Sequence, residues 1–393
     1  MKEFEELFYR DTYAKEFDAK VISSNKGEKG WEVILDDTAF YPEGGGQEAD
    51  HGTLKMMSGN DVNVTDVRRN KTGEIVHYCD GGLKEGDTVH GSIDWDRRFD
   101  HMQNHSGEHI VSGIIHEHYG YENVGFHMGD MIMIDVSGPL SWKQLAEVEK
   151  EANETIYADL PILVSYPDDK ELAQITYRSK KELTGQVRIV NVPGRDICAC
   201  CGTHVARTGE IGIIKFFSMI NYKGGVRIWM ASGLKALGII SRRTDQDIEL
   251  SHMLASDPDN IVDVLTKVKD ESAAKDRRIT ELVNSRFELE AGLLPDKAPL
   301  VIRFEEGLST VETRRFCECL LENDKGICVA VLSRQNKSWY YVIGSRTVDV
   351  RPAGKALNAK LQGRGGGSAE MIQGTFAAGQ SEIENVLKEE LNV

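Results

Sequence analysis

Four side chains of types that bind metal ions occur as two closely spaced pairs. His105 and His109 are four residues apart in a stretch whose apolar residues recur every three or four positions, which predicts a helix with both imidazoles on one face. Cys200 and His204 frame the segment CCGTH, in which Gly202 allows the chain to fold around an ion. Zinc commonly accepts three nitrogens and one sulfur in tetrahedral geometry. The pattern therefore predicts a zinc site.

The choice of ligands leaves two questions open. Cys198 and Cys201 flank Cys200 and are also able to reach an ion. Glu108 directly precedes the second histidine, whereas the glutamate of the metalloprotease motif HExxH directly follows the first, so we expect Glu108 to point elsewhere on the helix. Four protein ligands leave no open position, which is typical of a structural zinc. Such an ion either anchors the fold or orients the end of the substrate, or it changes its coordination during catalysis.

A glycine-rich loop follows one of the first predicted strands. The segment LDDTAFYPEGGGQEADHG places Thr38 at the end of that strand, followed by the glycines at 44–46 and by Gln47. Glycines permit backbone conformations and close approaches that other residues do not. The loop is able to present amide groups to a carbonyl or phosphate, and Gln47 to orient a water molecule by hydrogen bonding. Taken by itself, GGGQ is equally typical of a simple turn.

These segments together resemble the editing domain of alanyl-tRNA synthetases and the freestanding AlaX-type editing proteins. The family pattern has a DxTxFYPxxGGQ loop, an HxxxH helix and a CxxxH turn, which match residues 36–47, 105–109 and 200–204. The likeness runs from about Asp36 to Leu237. It implies a hydrolase that removes serine or glycine from wrongly charged alanine tRNA, and mischarged alanine tRNA is therefore the expected partner.

The same resemblance implies a cofactor and residue roles. Zinc is the expected cofactor, with the ligands His105, His109, Cys200 and His204. Thr38 and Gln47 are the expected catalytic residues, because Thr38 matches a threonine thought to sense the serine hydroxyl and Gln47 matches the loop glutamine. Nucleotide binding and ATP binding are further expectations.

The C-terminal segment beyond Lys355 resembles the DHH-associated domain that ends alanyl-tRNA synthetases, which identifies the chain with the long AlaX forms. The resemblance implies tRNA contacts, through charge and backbone amides, by Lys360, Arg364, Gly365 and Gly366. The chain departs from the family at residues 375–376, where a further glycine run is common. Barrel-like sequence begins within about twenty residues of Met1, so the chain is expected to edit but not to charge.

The elements that position these residues change in type along the chain. Short β-branched or alternating runs such as WEVILDD, separated by Gly, Asn and Asp, predict a small β-barrel over residues 1–92. Helical periodicity, a cap for a second helix at Ser141 and further strands predict a zinc-containing α+β editing domain over 93–240. Spaced apolar residues predict a helical linker or coiled coil over 241–292, and strands with one helix predict a C-terminal α/β DHH-associated domain over 293–393. The predicted fold class is a multidomain α+β protein.

Charge and cysteine placement narrow the class of protein. A formal net charge of -16 over 393 residues is unsuited to coating nucleic acid nonspecifically, although local basic patches occur at 97–98, 178–181 and 355–364. The seven cysteines do not have the spacing of a disulfide framework. No run approaches the roughly 20 apolar residues that a membrane-spanning helix needs. The first residues lack the basic segment followed by an apolar segment that is typical of a leader. We expect a cytoplasmic protein without a membrane partner, with the helical segment or C-terminal domain supporting a homodimer.

Two other functions are compatible with these residues. In one, the zinc ligands only hold the fold together and the protein is a noncatalytic RNA-binding module, which predicts tRNA binding without ester hydrolysis. In the other, the chain is a zinc hydrolase of a small ester or a D-aminoacyl substrate, which predicts indifference to the tRNA body. The combination of Thr38, Gln47 and the zinc motif disfavours both.

Overall fold

A computed structural model of the chain describes residues 4–28, 30–56, 61–179 and 185–391. The chain divides into two compact units, residues 1–248 and 249–393. No helix among the described residues is long and apolar enough to cross a membrane. The finer domain boundaries at residues 92, 240 and 292 stay predictions.

The first unit begins with a closed barrel, as the alternating sequence predicts. After the short helix α1 (Leu7–Arg10), six strands pair antiparallel around the barrel in the order β1-β2-β5-β4-β3-β6. The strands are β1 (Glu16–Gly27), β2 (Gly30–Leu35), β3 (Gly52–Met56), β4 (Asp61–Arg69), β5 (Ile75–Cys79) and β6 (Thr88–Ile93). In β1 the buried Phe17, Ala19 and Val21 alternate with exposed residues, so one face of the strand lines the barrel core.

A long central helix carries the first pair of predicted metal ligands. Helix α2 (Trp95–Tyr119) begins where the Asp94 side chain accepts a hydrogen bond from the Arg97 amide, and it ends at Gly120 in the left-handed conformation. Every residue from 101 to 115 is buried, so the helix is enclosed on all sides rather than amphipathic. Polar side chains within this stretch therefore need partners inside the protein.

Two antiparallel sheets and two further long helices follow, and the second of these helices continues past residue 248, where the first unit ends. The remaining elements are β7 (Asn123–Met128), β8 (Ile132–Val136), α3 (Trp142–Tyr157), β9 (Leu163–Ser165), α4 (Asp169–Leu172), β10 (Ile189–Val192), β11 (Asp196–Ala199), β12 (Ile214–Tyr222), β13 (Gly225–Ser232) and α5 (Gly233–Leu254). One sheet has the order β12-β13-β8-β7 and the other β11-β10-β9. Ser141 caps α3 in a capping box with Gln144, which confirms the predicted start of that helix.

The second unit is an α/β fold around one five-stranded sheet. Its elements are α6 (Ile261–Gly292), β14 (Ala298–Glu306), α7 (Thr310–Glu322), β15 (Gly326–Gln335), β16 (Ser338–Ser345), α8 (Arg351–Lys360), β17 (Arg364–Gly367), β18 (Met371–Phe376) and α9 (Gln380–Glu390). The sheet order is β14-β15-β16-β18-β17, and only β14 and β15 run parallel. Helix α6 packs through Phe287, whose ring stacks on Phe316 of α7 at 4.5 Å. The α+β class and the strands and helix expected near the C-terminus are confirmed.

Candidate metal and substrate site

The structure brings the four predicted metal ligands together. Helix α2 supplies His105 and His109, while the turn that follows β11 supplies Cys200 and His204. One candidate ligand atom from each residue lies within 4.8 Å of all the others. Gly202 shapes this turn, because a Cβ atom at that position would lie 2.1 Å from the His105 ring. Any larger residue would push the turn away from the histidine.

Each histidine of the cluster is held by a neighbour through its Nδ1 atom. The Nδ1 distances are 3.1 Å from His105 to Gln47 Oε1, 2.8 Å from His109 to Asp196 Oδ2 and 3.3 Å from His204 to Ser106 Oγ. With Nδ1 engaged, the Nε2 atoms are the ones that converge on the cluster. Histidines that bind metals typically use their second nitrogen in this way, which fixes the ring and its tautomer.

The chemistry of the donors fits a divalent cation. Burial would raise the pKa of the Cys200 thiol, but the surrounding imidazoles hold it well below its usual range. Burial lowers the pKa of His204 to about 3, so that ring is neutral, and its buried Nε2 has no hydrogen-bond partner within the described chain. An anionic sulfur and a neutral imidazole with an open lone pair are metal-binding forms of these side chains.

A carboxylate and a guanidinium hold His109 of the cluster in place. Asp196 accepts from Arg178 through Nε at 2.8 Å and Nη2 at 2.9 Å, in addition to its contact with His109. Burial would raise the pKa of Asp196, but these two partners lower it. Burial would likewise lower the pKa of His109, but Cys200 and Asp196 raise it well above its usual range. Without a cation, His109 therefore holds a proton that a metal ion would displace.

A cavity of about 480 Å³ opens beside the cluster. Its lining combines three of the ligands with the glycine loop, β7 and the region of Arg178. The residues that form it include Gly45, Gly46, His105, Glu108, His109, Phe126, Arg178 and Cys200. Position 46 of the loop requires glycine, because Gly46 has a φ of 86° and a Cβ atom there would lie 2.5 Å from the Phe126 ring. A cavity of this size is within the range of small-molecule binding sites.

Gln47 lies behind the cluster rather than in the cavity lining. The side chain is fully buried, and its Oε1 accepts from His105 and from the Thr203 amide at 3.0 Å, while its Nε2 donates to Thr203 Oγ1 at 2.8 Å. These contacts connect the glycine loop to the metal turn. The water-orienting role that the sequence suggests for Gln47 stays a prediction, and the contacts give it a positioning role toward His105.

Thr38 lies at the end of the barrel with its hydroxyl engaged by protein groups. The Thr38 Oγ1 atom is 2.9 Å from His77 Nε2 and accepts from the Phe40 amide at 3.1 Å. Burial lowers the pKa of His77 to about 4, and its Nδ1 contacts the Val33 carbonyl at 3.1 Å. His77 is therefore neutral with its proton on Nδ1, so Thr38 donates to Nε2. Thr38 is absent from the described cavity lining, and serine sensing by this residue stays a prediction.

The two alternative cysteines occupy different environments. Cys198 is buried next to His109 and Asp196, and burial raises the pKa of its thiol to about 11. Cys201 is exposed, and its carbonyl accepts from the Tyr9 hydroxyl at 2.9 Å. Compared with Cys198, Cys200 has the thiol that favours the metal-binding thiolate form.

Glu108 is outside the cluster of four candidate ligands, but it lies in the lining of the same cavity as His105 and His109. Sequence reasoning did not recognise Asp196 and Ser106, since a support for a ligand has no spacing rule of its own. Of the basic patch at 178–181, residues 180 and 181 lie outside the described part of the chain.

The expected tRNA-contacting residues lie in the second unit. Lys360 ends α8 and forms ion pairs with Glu389 at 2.9 Å and Glu390 at 2.6 Å. Residues 364–367 form the exposed edge strand β17, so Arg364, Gly365 and Gly366 present side chain or backbone to solvent. The two carboxylates offset the charge of Lys360, and tRNA contact by this group stays a prediction.

Comparisons with known proteins agree on one group of enzymes. Residues 4–97 match the family model of class II (A) tRNA synthetases, and residues 187–228 match the second additional domain of threonyl and alanyl tRNA synthetases. The chain is 29% identical to the alanyl-tRNA editing protein AlaX-L of Pyrococcus horikoshii, over 98% of each chain. It is 30% identical to the alanyl-tRNA editing protein Aarsd1 of Mus musculus, over 67% of each chain. It is 32% identical to the alanine–tRNA ligase of Pyrobaculum aerophilum, over 98% of this chain and 44% of the ligase.

Proposed function

Because this chain belongs to the alanyl-tRNA editing protein family, we propose that it hydrolyses the ester bond of wrongly charged alanine tRNA in trans. Serine is the proposed first substrate and glycine the second. The single observation that carries the proposal is the cluster of three histidines and Cys200, which lies at the wall of a cavity large enough for the aminoacyl end.

Zinc is the proposed cofactor, held by His105, His109, Cys200 and His204. The support is the donor set itself, with one thiolate, buried Nε2 atoms and Nδ1 atoms that are each fixed by a neighbour. When bound, zinc would supply Lewis acidity to the reacting ester. The chain supplies the remaining parts, because the backbone at Gly45 and Gly46 and the ring of Phe126 form walls that position the substrate and exclude water.

Rejection of alanine is the demanding part of the reaction. Alanine is the correct amino acid and is smaller than serine, so steric exclusion does not remove it. A site that forms a hydrogen bond with the serine hydroxyl leaves that partner unpaired when alanine binds, which is how a polar site favours the larger substrate. We assign this role to Thr38 because it matches the family threonine, with Gln47 supporting the site through His105.

The second unit is proposed to contact the tRNA body. The exposed backbone of β17, with Lys360 and Arg364 beside it, offers amides and cations to phosphate or ribose. A homodimer through the long helical segment, a cytoplasmic location and ATP binding remain expectations from the sequence. The exposed Leu265, Val268 and Ile279 on α6 are compatible with a helical partner.

One observation favours a second candidate. Four protein ligands fill a tetrahedral zinc site, which is typical of structural zinc, so a noncatalytic tRNA-binding module also fits the cluster. The cavity beside the ligands favours the hydrolase, since a purely structural site has no need of one.

The test measures hydrolysis of serine attached to alanine tRNA against hydrolysis of serine methyl ester at the same concentration. The proposal expects release of serine from the tRNA at a rate at least about 100-fold higher than from the small ester, because binding of the tRNA body orients the ester. Equal rates would favour a small-ester hydrolase. Binding of the tRNA without release of serine would favour the module.

A further inference from the structure

A second cavity, of about 710 Å³, adjoins the cavity beside the metal cluster in the first unit. Gly45 and Cys201 line both cavities, so the two meet along these residues. Position 45 leaves this junction open, because the only atom near a Cβ built there would be the Gly202 amide nitrogen at 4.0 Å. We propose that the second cavity binds the adenine base of the terminal nucleotide of the tRNA, while the first cavity receives the amino acid. This inference rests on the proposed editing function and adds a base-binding site to it.

The end of an aminoacyl-tRNA is branched and therefore requires two adjoining spaces. The amino acid is attached to the 2′ or 3′ oxygen of the terminal ribose, whereas adenine is attached to C1′ of the same ribose. A ribose beside Gly45 and Cys201 directs its amino acid toward the metal ligands in one cavity and its base into the other. Both cavities have volumes that are typical of small-molecule sites.

Aromatic rings line the second cavity. Phe4 and Tyr9 are both partly exposed, and their ring centroids lie 5.0 Å apart at an interplanar angle of 68°. The Tyr9 hydroxyl donates to the Cys201 carbonyl at 2.9 Å, and the guanidinium carbon of Arg188 lies 5.3 Å from the centroid of the Tyr9 ring. These contacts hold the ring in position before a ligand binds. Every nucleobase has a π-face that stacks on such rings, so aromatic side chains are typical of sites for unpaired bases.

The charges of the lining favour a base over a phosphate. The described lining contains two carboxylates, Glu43 and Glu74, and one cation, Arg69. Arg69 is already bonded, since its Nη2 donates to Glu6 Oε1 at 2.6 Å and its Nη1 donates to the Gly73 carbonyl at 2.8 Å. Carboxylates repel phosphate, whereas they accept hydrogen bonds from the exocyclic amino group of adenine. The lining therefore suits a neutral base that carries an amino group.

Glu74 is the carboxylate that receives the amino group. Its Oε2 accepts from Asn70 Nδ2 at 3.0 Å and from Thr72 Oγ1 at 2.8 Å, and these hydrogen bonds lower the pKa of the carboxyl group. No cation forms an ion pair with Glu74 within the described residues, whereas Glu43 is paired with Arg68. Glu74 is therefore ionised at neutral pH and is held at the cavity by its own turn.

The experiment measures binding of alanine tRNA that carries serine in a noncleavable 3′-amide linkage and ends in adenine, in hypoxanthine or in a ribose without a base. The wild-type chain is expected to bind the adenine form about 5- to 150-fold more tightly than the form without a base, as the stacking of one base would provide. Hypoxanthine has an oxygen in place of the amino group, so its tRNA is expected to bind about tenfold more weakly than the adenine form.

Variants separate the contribution of the ring from that of the carboxylate. Tyr9→Leu should bring the preference for a base below about threefold, whereas Tyr9→Phe keeps the ring and should retain the preference. Glu74→Gln has an amide that accepts or donates, so it should bind the adenine and hypoxanthine forms within about twofold of each other and still prefer a base. Tyr157→Leu and Glu85→Gln are the matched controls, because both residues are exposed and lie outside the two cavity linings, and both variants should behave as wild type.

The outcomes separate this inference from the proposed function. Equal binding of the three tRNAs by the wild type, or a full preference for a base in Tyr9→Leu, would overturn the base site. Zinc is measured in each variant, and if Tyr9→Leu loses zinc, Phe4→Leu provides the test of the rings with the same expected result. Preference for adenine by a chain that releases no serine from seryl-tRNA would refute the hydrolase and support the base site. Release of serine at equal rates from tRNA with and without the terminal base would support the hydrolase and refute the base site.

Discussion

Replacing Asp196 by Asn removes the negative charge that contacts His109 of the metal cluster. The carboxylate is 5% exposed and connects two groups, with Oδ2 2.8 Å from His109 Nδ1 and both oxygens bonded to Arg178. An asparagine oxygen is able to accept from only one of these partners at full strength, and the amide nitrogen then faces the other. His109 becomes a weaker donor to the ion because its Nδ1 proton is no longer held by an anion.

The expected loss follows from the two contacts. Loss of a partner that supports a metal-binding histidine typically lowers metal affinity about 10- to 100-fold, or roughly 1.4–2.8 kcal/mol. Arg178 also loses its counter-charge, and because its side chain is 12% exposed the folded protein without zinc is destabilised as well. Breaking a buried pair of this kind costs about 3–5 kcal/mol in the free energy of unfolding, and the residual exposure of Arg178 places the value toward the lower end.

The assay is competition for zinc between the protein and a chromophoric chelator, together with chemical unfolding of the zinc-free protein. Asp135→Asn is the matched control, because Asp135 forms a similar two-bond pair with Arg227 in the sheet of β8 and β13. The control should lose stability and keep its zinc affinity. Zinc affinity that falls equally in both variants, or in neither, would refute the supporting role of Asp196.

Four further changes test single residues. Cys200→Ala should remove most bound zinc while Cys201→Ala keeps it, and full zinc in the first variant, measured by metal analysis, would move the ligand elsewhere. Gln47→Leu should lower zinc affinity about tenfold because the His105 ring loses its acceptor; an unchanged affinity with lower kcat would favour the water-orienting role. Thr38→Val should lower the ratio of serine to alanine release from alanine tRNA, and an unchanged ratio of rates would end its assignment as the discriminating residue. Burial lowers the pKa of His77 to about 4, so between about pH 6.5 and 4 the unfolded chain takes up a proton at this residue and the folded chain does not. The free energy of unfolding of the wild type should therefore fall by about 3 kcal/mol more over this range than that of His77→Phe. Parallel pH curves from chemical unfolding of the two proteins would contradict this.

Structural features that depend on residues close together in the chain could be predicted from the sequence. The two histidines four residues apart on one helix, and the cysteine and histidine around Gly202, are local patterns, and the fold brings them to one point. Alternation of buried and exposed residues likewise predicts the barrel, because one face of each strand must enter its core. These features follow from the periodicity of helices and strands.

Contacts between distant segments that no motif marks were beyond prediction. Thr38 and His77 are 39 residues apart, so nothing in the spacing of either indicates their hydrogen bond. The ion pairs of Lys360 with Glu389 and Glu390 join two helices, and composition alone counts Lys360 as an available cation. The protease motif with which Glu108 was compared contains no information on the cavity that it lines, because segments far apart in the chain form that cavity.

The editing function is tested by deacylation of serine, glycine and alanine, each attached to alanine tRNA, with zinc quantified in the same preparation. We expect about one zinc per chain and rapid release of serine, slower release of glycine and no release of alanine. Zinc-loaded protein that binds all three tRNAs and releases none of the amino acids would contradict it.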